Sequence, residues 1–313
     1  MMSFSQNVKE ELCSVITDRD REYACLYGML LFCRRFGADE ILFQTENKLA
    51  ADMFRRLSDK VIGRKDMISV SETPKKNGSV LYSLTVSEEC DREEIIFRYR
   101  ISSRTLIHRI QTDVITNNNV FAFLAGAFLS CGSMTEPIKE YHMEFAVPFE
   151  ELCNDLRELI ENLGISSKYV ERKGVYVLYF KGSEDIEDML TLMGATHASI
   201  ELMNVKILKD VRNKANRIAN CDAANIERTL KASEKQIADI EYIMETDGLD
   251  SLTPELRNMA MLRLENPDVS LKELGEMLDK PVGRSGANHR LKKLSEIAEA
   301  IRDRRERSKK EQI

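Results

Sequence analysis

Apolar residues in this chain fall into runs whose period changes along its length. Tyr23–Arg35 (YACLYGMLLFCRR) is apolar on nearly every side, the pattern of a buried helix. Glu40–Thr45 (EILFQT) reads as a short strand after the turn Gly37-Ala38-Asp39. Leu49, Ala50, Met53, Phe54 and Leu57 recur at helical spacing within Glu46–Val61. Met67–Ser71 and Val80–Val86 are β-rich, and Pro74-Lys75-Lys76-Asn77-Gly78 between them signals a hairpin.

The same order then recurs. Val120–Cys131 (VFAFLAGAFLSC) is almost wholly apolar and helical. Tyr141–Val147 reads as a strand ended by Pro148, and Phe149–Leu163 as an amphipathic helix stopped at Gly164. Lys168–Glu171 and Val175–Phe180 are strands around Arg172-Lys173-Gly174. Gly28 matches Gly126 at an offset of 98, Val80-Leu81-Tyr82 matches Val177-Leu178-Tyr179 at 97, and Gly78 matches Gly174 at 96. This period is longer than a solenoid repeat and predicts a duplicated domain packed about a pseudo-twofold axis.

Beyond Val205 the strand signals stop. Two helices are predicted, Val205–Ala219 and Ala223–Glu245, with Asp222 as N-cap of the second. Another starts at Thr253-Pro254 and closes at Pro267-Asp268. Helices around Leu271–Leu278 and Ser285–Leu294 follow, the second extending toward Arg307, before a charged, frayed tail (RDRRERSKKEQI).

Ser270–Leu294 carries the strongest local signal. Ser270 and Glu273 form a capping box, and Leu271, Leu274 and Leu278 make a buried stripe. Gly275 is small where a second helix would cross, and Lys280-Pro281-Val282-Gly283 breaks the chain. Ala287, Leu291 and Leu294 give the second helix its apolar face, which leaves Arg284, Ser285, Asn288, His289, Arg290, Lys292 and Lys293 to point elsewhere. That is the division of labour of a helix-turn-helix, in which one helix braces and the next enters a major groove. Arg284, Ser285, Asn288 and Arg290 are the candidates for base contacts; Lys280, Lys292, Lys293 and His289 are the candidates for phosphates. A second basic stretch, Lys206, Lys209, Arg212, Lys214 and Arg217, reads equally as a phosphate-contacting face or a solvated linker helix, with Ile207, Val211 and Ile218 as its apolar side.

Composition narrows the classes. The 313 residues have a formal net charge of −6, which excludes a uniformly basic nucleic-acid coat. Yet no Asp or Glu lies between Lys280 and Ser295, and most of the negative charge falls in the N-terminal body. Seven cysteines with no CxxC spacing argue against a disulfide scaffold or a zinc finger. No run reaches a membrane span and no signal peptide is visible, so the expected location is cytoplasmic and nucleoid-associated. Walker, GxGxxG, HExxH and GxSxG motifs are absent, and no cofactor is expected.

Leu124–Gly132 (LAGAFLSCG) resembles the LAGLIDADG helix of homing endonucleases, with Leu26–Arg34 (LYGMLLFCR) as the first copy. The resemblance implies two helices packed side by side and αββαββα halves, the first strand of copy one being missing or very short. The family's catalytic acid falls on Cys33 and Cys131, and a thiol is a poor magnesium ligand. Asp39 and Glu136 lie nearby but off the motif, as turn residues. Together with Asp210–Asn225 (DVRNKANRIANCDAAN) and Leu271–Leu294, the chain resembles the WhiA sporulation and cell-division regulators of Gram-positive bacteria over nearly its whole length.

The expected fold is α+β: two pseudo-symmetric LAGLIDADG-like halves (residues 1–110 and 111–203), a helical linker (204–248) and an all-α helix-turn-helix domain (249–313). The expected function is sequence-specific binding of double-stranded DNA without catalysis or metal. The resemblance implies a regulator of transcription in division, chromosome segregation or sporulation, whose N-terminal body is free to engage another transcription or division protein. The rival readings are a metal-dependent homing-type endonuclease and a protein-interaction scaffold.

Overall fold

The computed structural model describes residues 3–76, 78–101, 108–116 and 118–310. Asn77 of the predicted hairpin and residues 311–313 of the predicted tail lie outside them. The chain forms two compact units, Met1–Asp210 and Val211–Ile313.

The first unit is built from one motif used twice. After α1 (Phe4–Val15), the first half runs α2 (Arg19–Leu31), β1 (Arg35–Phe36), β2 (Ile41–Thr45), α3 (Lys48–Ile62), β3 (Ile68–Pro74), β4 (Val80–Val86) and α4 (Glu89–Arg98). The second half runs α5 (Val120–Cys131), β5 (Gly132–Met134), β6 (Met143–Val147), α6 (Glu150–Asn162), β7 (Lys168–Arg172), β8 (Val175–Phe180) and α7 (Ser183–Met193). Both sheets are antiparallel, in the orders β1-β2-β4-β3 and β5-β6-β8-β7. The α+β class and the αββαββα order are those expected, and the short first strand of copy one is the two-residue β1.

The register corrects one detail of the repeat. Phe43 pairs with Leu84 and Thr45 with Tyr82, while Phe145 pairs with Leu178 and Val147 with Tyr176. Tyr82 therefore corresponds to Tyr176, and the Val-Leu-Tyr match at offset 97 is three residues out of register. The cause is the unequal hairpins: Pro74 pairs with Val80 across a longer loop, whereas Arg172 pairs with Val175 across Lys173-Gly174. Both of those turn residues have positive φ, 53° and 75°, as a tight hairpin turn demands.

α2 and α5 lie against each other at the centre of the core. A Cβ at Gly28 would sit 2.2 Å from the Phe123 carbonyl oxygen, and one at Gly126 would sit 2.0 Å from that of Cys25. Ser130 Oγ donates to the Met29 carbonyl at 2.6 Å across the same seam. The inner faces of the sheets close over their helices: Phe43 stacks on Phe54 at 4.5 Å, and Phe145 meets Phe128 edge-on at 5.8 Å. Glu22 is buried on α2 and accepts hydrogen bonds from Arg56, at 2.5 Å, and Lys60 on α3. Burial alone would raise its carboxyl pKa, but the bonds from Lys60 and Arg56 outweigh burial and hold it below its ordinary value.

The largest departure from expectation follows α7. One helix, α8, runs unbroken from Thr196 to Thr246, where two were predicted. Its first turn is capped by Glu11, whose carboxylate accepts from His197 N–H at 2.7 Å and Ala198 N–H at 3.0 Å. Asp222 is not an N-cap; it is an exposed residue inside the helix. Apolar periodicity fades there, but Ala215, Ala219, Ala223 and Ala224 carry the helix through on propensity. Among the described residues no helix is long and apolar enough to cross a membrane.

Two outcomes test this core. Gly126→Ala places a methyl against rigid backbone and should lower stability by about 3 kcal/mol or prevent folding. Gly63→Ala, in open space at φ 79°, should lose only about 1 kcal/mol, both read from urea midpoints. Glu22 has a depressed native pKa, so its stabilisation is present above the unfolded value, near about 4.3, and is lost as pH falls through the native one. Glu22→Gln should destabilise by about 1 kcal/mol at pH 7 and leave a flatter loss of stability below about pH 4.

Candidate nucleic-acid interface

The second unit has its own core. α9 (Pro254–Glu265), α10 (Leu271–Glu276) and α11 (Arg284–Lys310) pack Leu256, Met259, Leu278, Ala287, Leu291 and Leu294 against Ile240 and Ile243 near the end of α8. The capping box at Ser270 is formed: Glu273 N–H donates to Ser270 Oγ at 3.4 Å, and the Ser270 N–H donates to the Glu273 carboxylate at 3.1 Å. Gly275 is required by the turn and not by a crossing helix. A Cβ there would lie 2.3 Å from the Val282 carbonyl oxygen, and Val282 N–H donates to the Gly275 carbonyl at 3.0 Å. That bond folds Lys280–Gly283 back over α10 and fixes where α11 begins.

Arg263 carries a role that pattern reading missed. It is 1% exposed, and its Nη1 donates to the carbonyls of Asn266, Pro267 and Val269 at 3.4, 3.3 and 2.9 Å. Burial pushes its pKa down. The guanidinium satisfies the carbonyls that leave α9 and so holds the loop leading to Ser270. The signal was present: Leu256, Met259, Ala260 and Arg263 share one helical face, and an arginine at an apolar position needs an internal partner.

On α11, Ala287, Leu291 and Leu294 face inward, each no more than 1% exposed. Arg284, Ser285, Asn288, His289, Lys292 and Lys293 are exposed, as is Lys280 in the turn. At 3.6 residues per turn, Ser285, Asn288, His289 and Lys292 fall on one outward face with Lys293 at its edge. Arg290 is half-buried and lies on the other flank of the apolar stripe, apart from Asn288. Lys292 has a carboxylate neighbour, Glu296, at 3.8 Å. The first turn of α11 contains no acid, so its amide groups are open to an anion. Arg302 pairs with the buried Asp239 at 2.9 Å and lies over the Tyr242 ring, which anchors the far part of α11 to α8.

The second basic stretch divides. Lys206 lies 3.5 Å from both Glu184 and Glu187, and Lys209 donates to the Pro137 carbonyl at 2.6 Å over the Tyr141 ring. These two lysines hold the beginning of α8 within the first unit and are not a phosphate-facing pair. Arg212, Lys214 and Arg217 are exposed. Ile207, Val211 and Ile218, the expected apolar side, are 60%, 63% and 56% exposed.

At the motif positions for a nuclease acid, burial pushes the Cys33 and Cys131 thiols up to about 12, so both are neutral at physiological pH. Cys33 Sγ donates to the Arg35 carbonyl at 2.9 Å. Cys131 has the Lys9 ammonium as electrostatic neighbour, and Lys9 donates to the Leu129 carbonyl at 3.3 Å. Neutral thiols at both positions, one of them beside a lysine, are the reverse of the oxygen-rich, anionic set that magnesium requires. Glu136 is used elsewhere, accepting the Phe4 N–H at 2.7 Å at the start of α1.

The architecture defines a class: a LAGLIDADG-like body with its acid positions replaced, followed by a helical C-terminal helix-turn-helix region. Residues 120–212 match the WhiA LAGLIDADG-like domain and residues 215–298 the WhiA C-terminal HTH domain. The "Probable cell division protein WhiA" of Thermoanaerobacter pseudethanolicus is 40% identical, covering 97% of this chain and 99% of its own. That of Clostridium perfringens is 38% identical, covering 96% and 99%. The crystal structure of full-length DUF199/WhiA from Thermatoga maritima is similar with a TM-score of 0.57 at 27% identity, covering 96% of this chain and 99% of that one. The chain belongs to the WhiA family.

Gly275→Ala should force the turn away from α10 and lower the stability of the C-terminal unit by about 1–3 kcal/mol, read as an earlier melting transition.

Proposed function

We propose that this protein is a non-catalytic, sequence-specific DNA-binding regulator of transcription acting in cell division, with chromosome segregation and sporulation as its associated processes. The observation that carries the reading is the exposed face of α11 from Arg284 to Ser295, free of acid over that segment and set opposite a stripe that anchors the same helix in the core. Arg284, Ser285 and Asn288 read bases in the major groove, where Arg suits guanine and Asn suits adenine. Lys280, His289 and Lys293 hold phosphates; Lys292 contributes less because Glu296 shares its charge, and Arg290 steadies the flank of the helix. The neutral thiols of Cys33 and Cys131, the latter beside Lys9, support a body without nuclease chemistry. That body serves as a surface for another transcription or division protein, and the working location is the nucleoid in the cytoplasm. Domain limits near residues 110, 203 and 248 complete the reading.

The test separates specificity from attraction. Asn288→Ala should cost on the order of 1–3 kcal/mol on a duplex selected by the wild-type protein and relax preference at one base. Lys293→Ala should weaken selected and mixed-sequence duplexes alike and reduce the salt slope by about one unit. Gel shifts over a salt series measure both, and equal losses for both variants on both duplexes count against this assignment.

A further inference from the structure

We propose that α8 carries a second DNA-contacting surface, formed by Arg212, Asn213, Asn216, Arg217 and Asn220. The inference rests on the reading that the protein binds duplex DNA; it adds a contact that the helix-turn-helix does not supply. Three observations carry it. First, residues 211–221 are all exposed and contain three cations, Arg212, Lys214 and Arg217, with no acid, in a chain whose net charge is −6. Among the described residues none of these three cations pairs with a carboxylate, whereas Lys206 and Lys209, just upstream, are both engaged.

Second, the amides fall on one side. At 3.6 residues per turn, Arg212, Asn213, Asn216, Arg217 and Asn220 lie within an arc of roughly 140°, and the Ile207, Val211 and Ile218 stripe lies on the other side. Asn and Arg are the side chains that pair bidentately with adenine and guanine edges, and a continuous helix is a shape the major groove admits. From Arg212 to Asn220 is about 12 Å at 1.5 Å per residue, the length of three to four base pairs.

Third, the asparagines have no internal reason to be there. Asn is a poorer helix former than Ala because its amide competes for backbone groups, and an exposed helix gains nothing from tertiary burial to offset that. The side-chain amides of Asn213, Asn216 and Asn220 make no hydrogen bond among the described residues, and the neighbouring Ala215 and Ala219 show that Ala is accommodated in this stretch. Three amides kept on one exposed face, beside two arginines, fit an external hydrogen-bonding partner carrying phosphates and base edges.

The experiment uses the full chain and two duplexes of equal length: one selected by the wild-type protein from a randomised library with long flanks, and one of mixed sequence. Asn213→Ala/Asn216→Ala/Asn220→Ala should melt at the same or a higher temperature than wild type, yet bind the selected duplex at least tenfold more weakly. It should also lose hydroxyl-radical protection over about four base pairs distinct from those lost in Asn288→Ala. Arg212→Ala/Arg217→Ala should lower the salt slope by about two units on both duplexes. Unchanged affinity, slope and footprint in both sets would overturn the proposal, and so would lost binding accompanied by a lower melting temperature in the asparagine variant, because the amides would then be structural. If Asn288→Ala binds normally while the α8 variants do not, the α11 reading fails and this one stands.

Discussion

Everything in the first unit depends on two glycines meeting two carbonyls. Gly28 leaves room for the Phe123 carbonyl oxygen, and Gly126 leaves room for that of Cys25. Phe123 is 98 residues from Cys25, the same separation as Gly126 from Gly28. Residue i thus meets residue j while the equivalent of j meets the equivalent of i, which is the signature of a twofold contact. The pseudo-dyad is therefore visible atom by atom at the helix seam, where no side chain separates the backbones. With the seam fixed, each sheet has one face on which to close, and Phe43 and Phe145 occupy corresponding places in the two halves.

The same seam sets the surroundings of Cys33 and Cys131. In a fold of this type the residues just beyond the paired helices approach the centre, and carboxylates there would repel one another unless a cation held them. Here the positions are thiols that burial keeps protonated, and α1 supplies the Lys9 ammonium next to Cys131. Burial also lowers the pKa of Lys9, while the Glu46 carboxylate works against that shift. With thiols in place of carboxylates, these positions carry no fixed negative charge that a cation would have to balance. Glu136, the acid nearest the motif, now caps α1.

How much of this was legible follows the physics of each element. α5 and β4 are read to the residue because their apolar runs are dense and their ends abrupt. β5 was missed because a three-residue edge strand has too few positions to display a period. A break is expected in α8 because a solvated helix shows no hydrophobic periodicity and Asp222 resembles an N-cap. Propensity from four alanines was the better guide there. The outward residues of α11 were legible from the spacing of Ala287, Leu291 and Leu294, but the half-burial of Arg290 was not, because it depends on what lies beside the helix. Lys206 and Lys209 misled for the same reason: charge in sequence does not reveal a carboxylate or carbonyl brought close by folding.

The second unit solves a problem that small helical domains share: exposing polar side chains on a helix that must also be rigid. α11 does so by length. Leu291, Leu294, Ala298 and Ile301 bury one stripe over several turns, and the Arg302–Asp239 pair lies beyond the segment that carries Ser285 and Asn288. Rigidity at the beginning of α11 comes from the turn, through Gly275 and Val282, and behind that from Arg263, whose guanidinium holds three carbonyls and has no carboxylate partner among the described residues. A carboxylate there would have brought a fixed negative charge into the unit whose exposed helix is kept free of acid from Lys280 to Ser295. Backbone oxygens thus order the loop of residues 266–269 without a second acid beside Asp268.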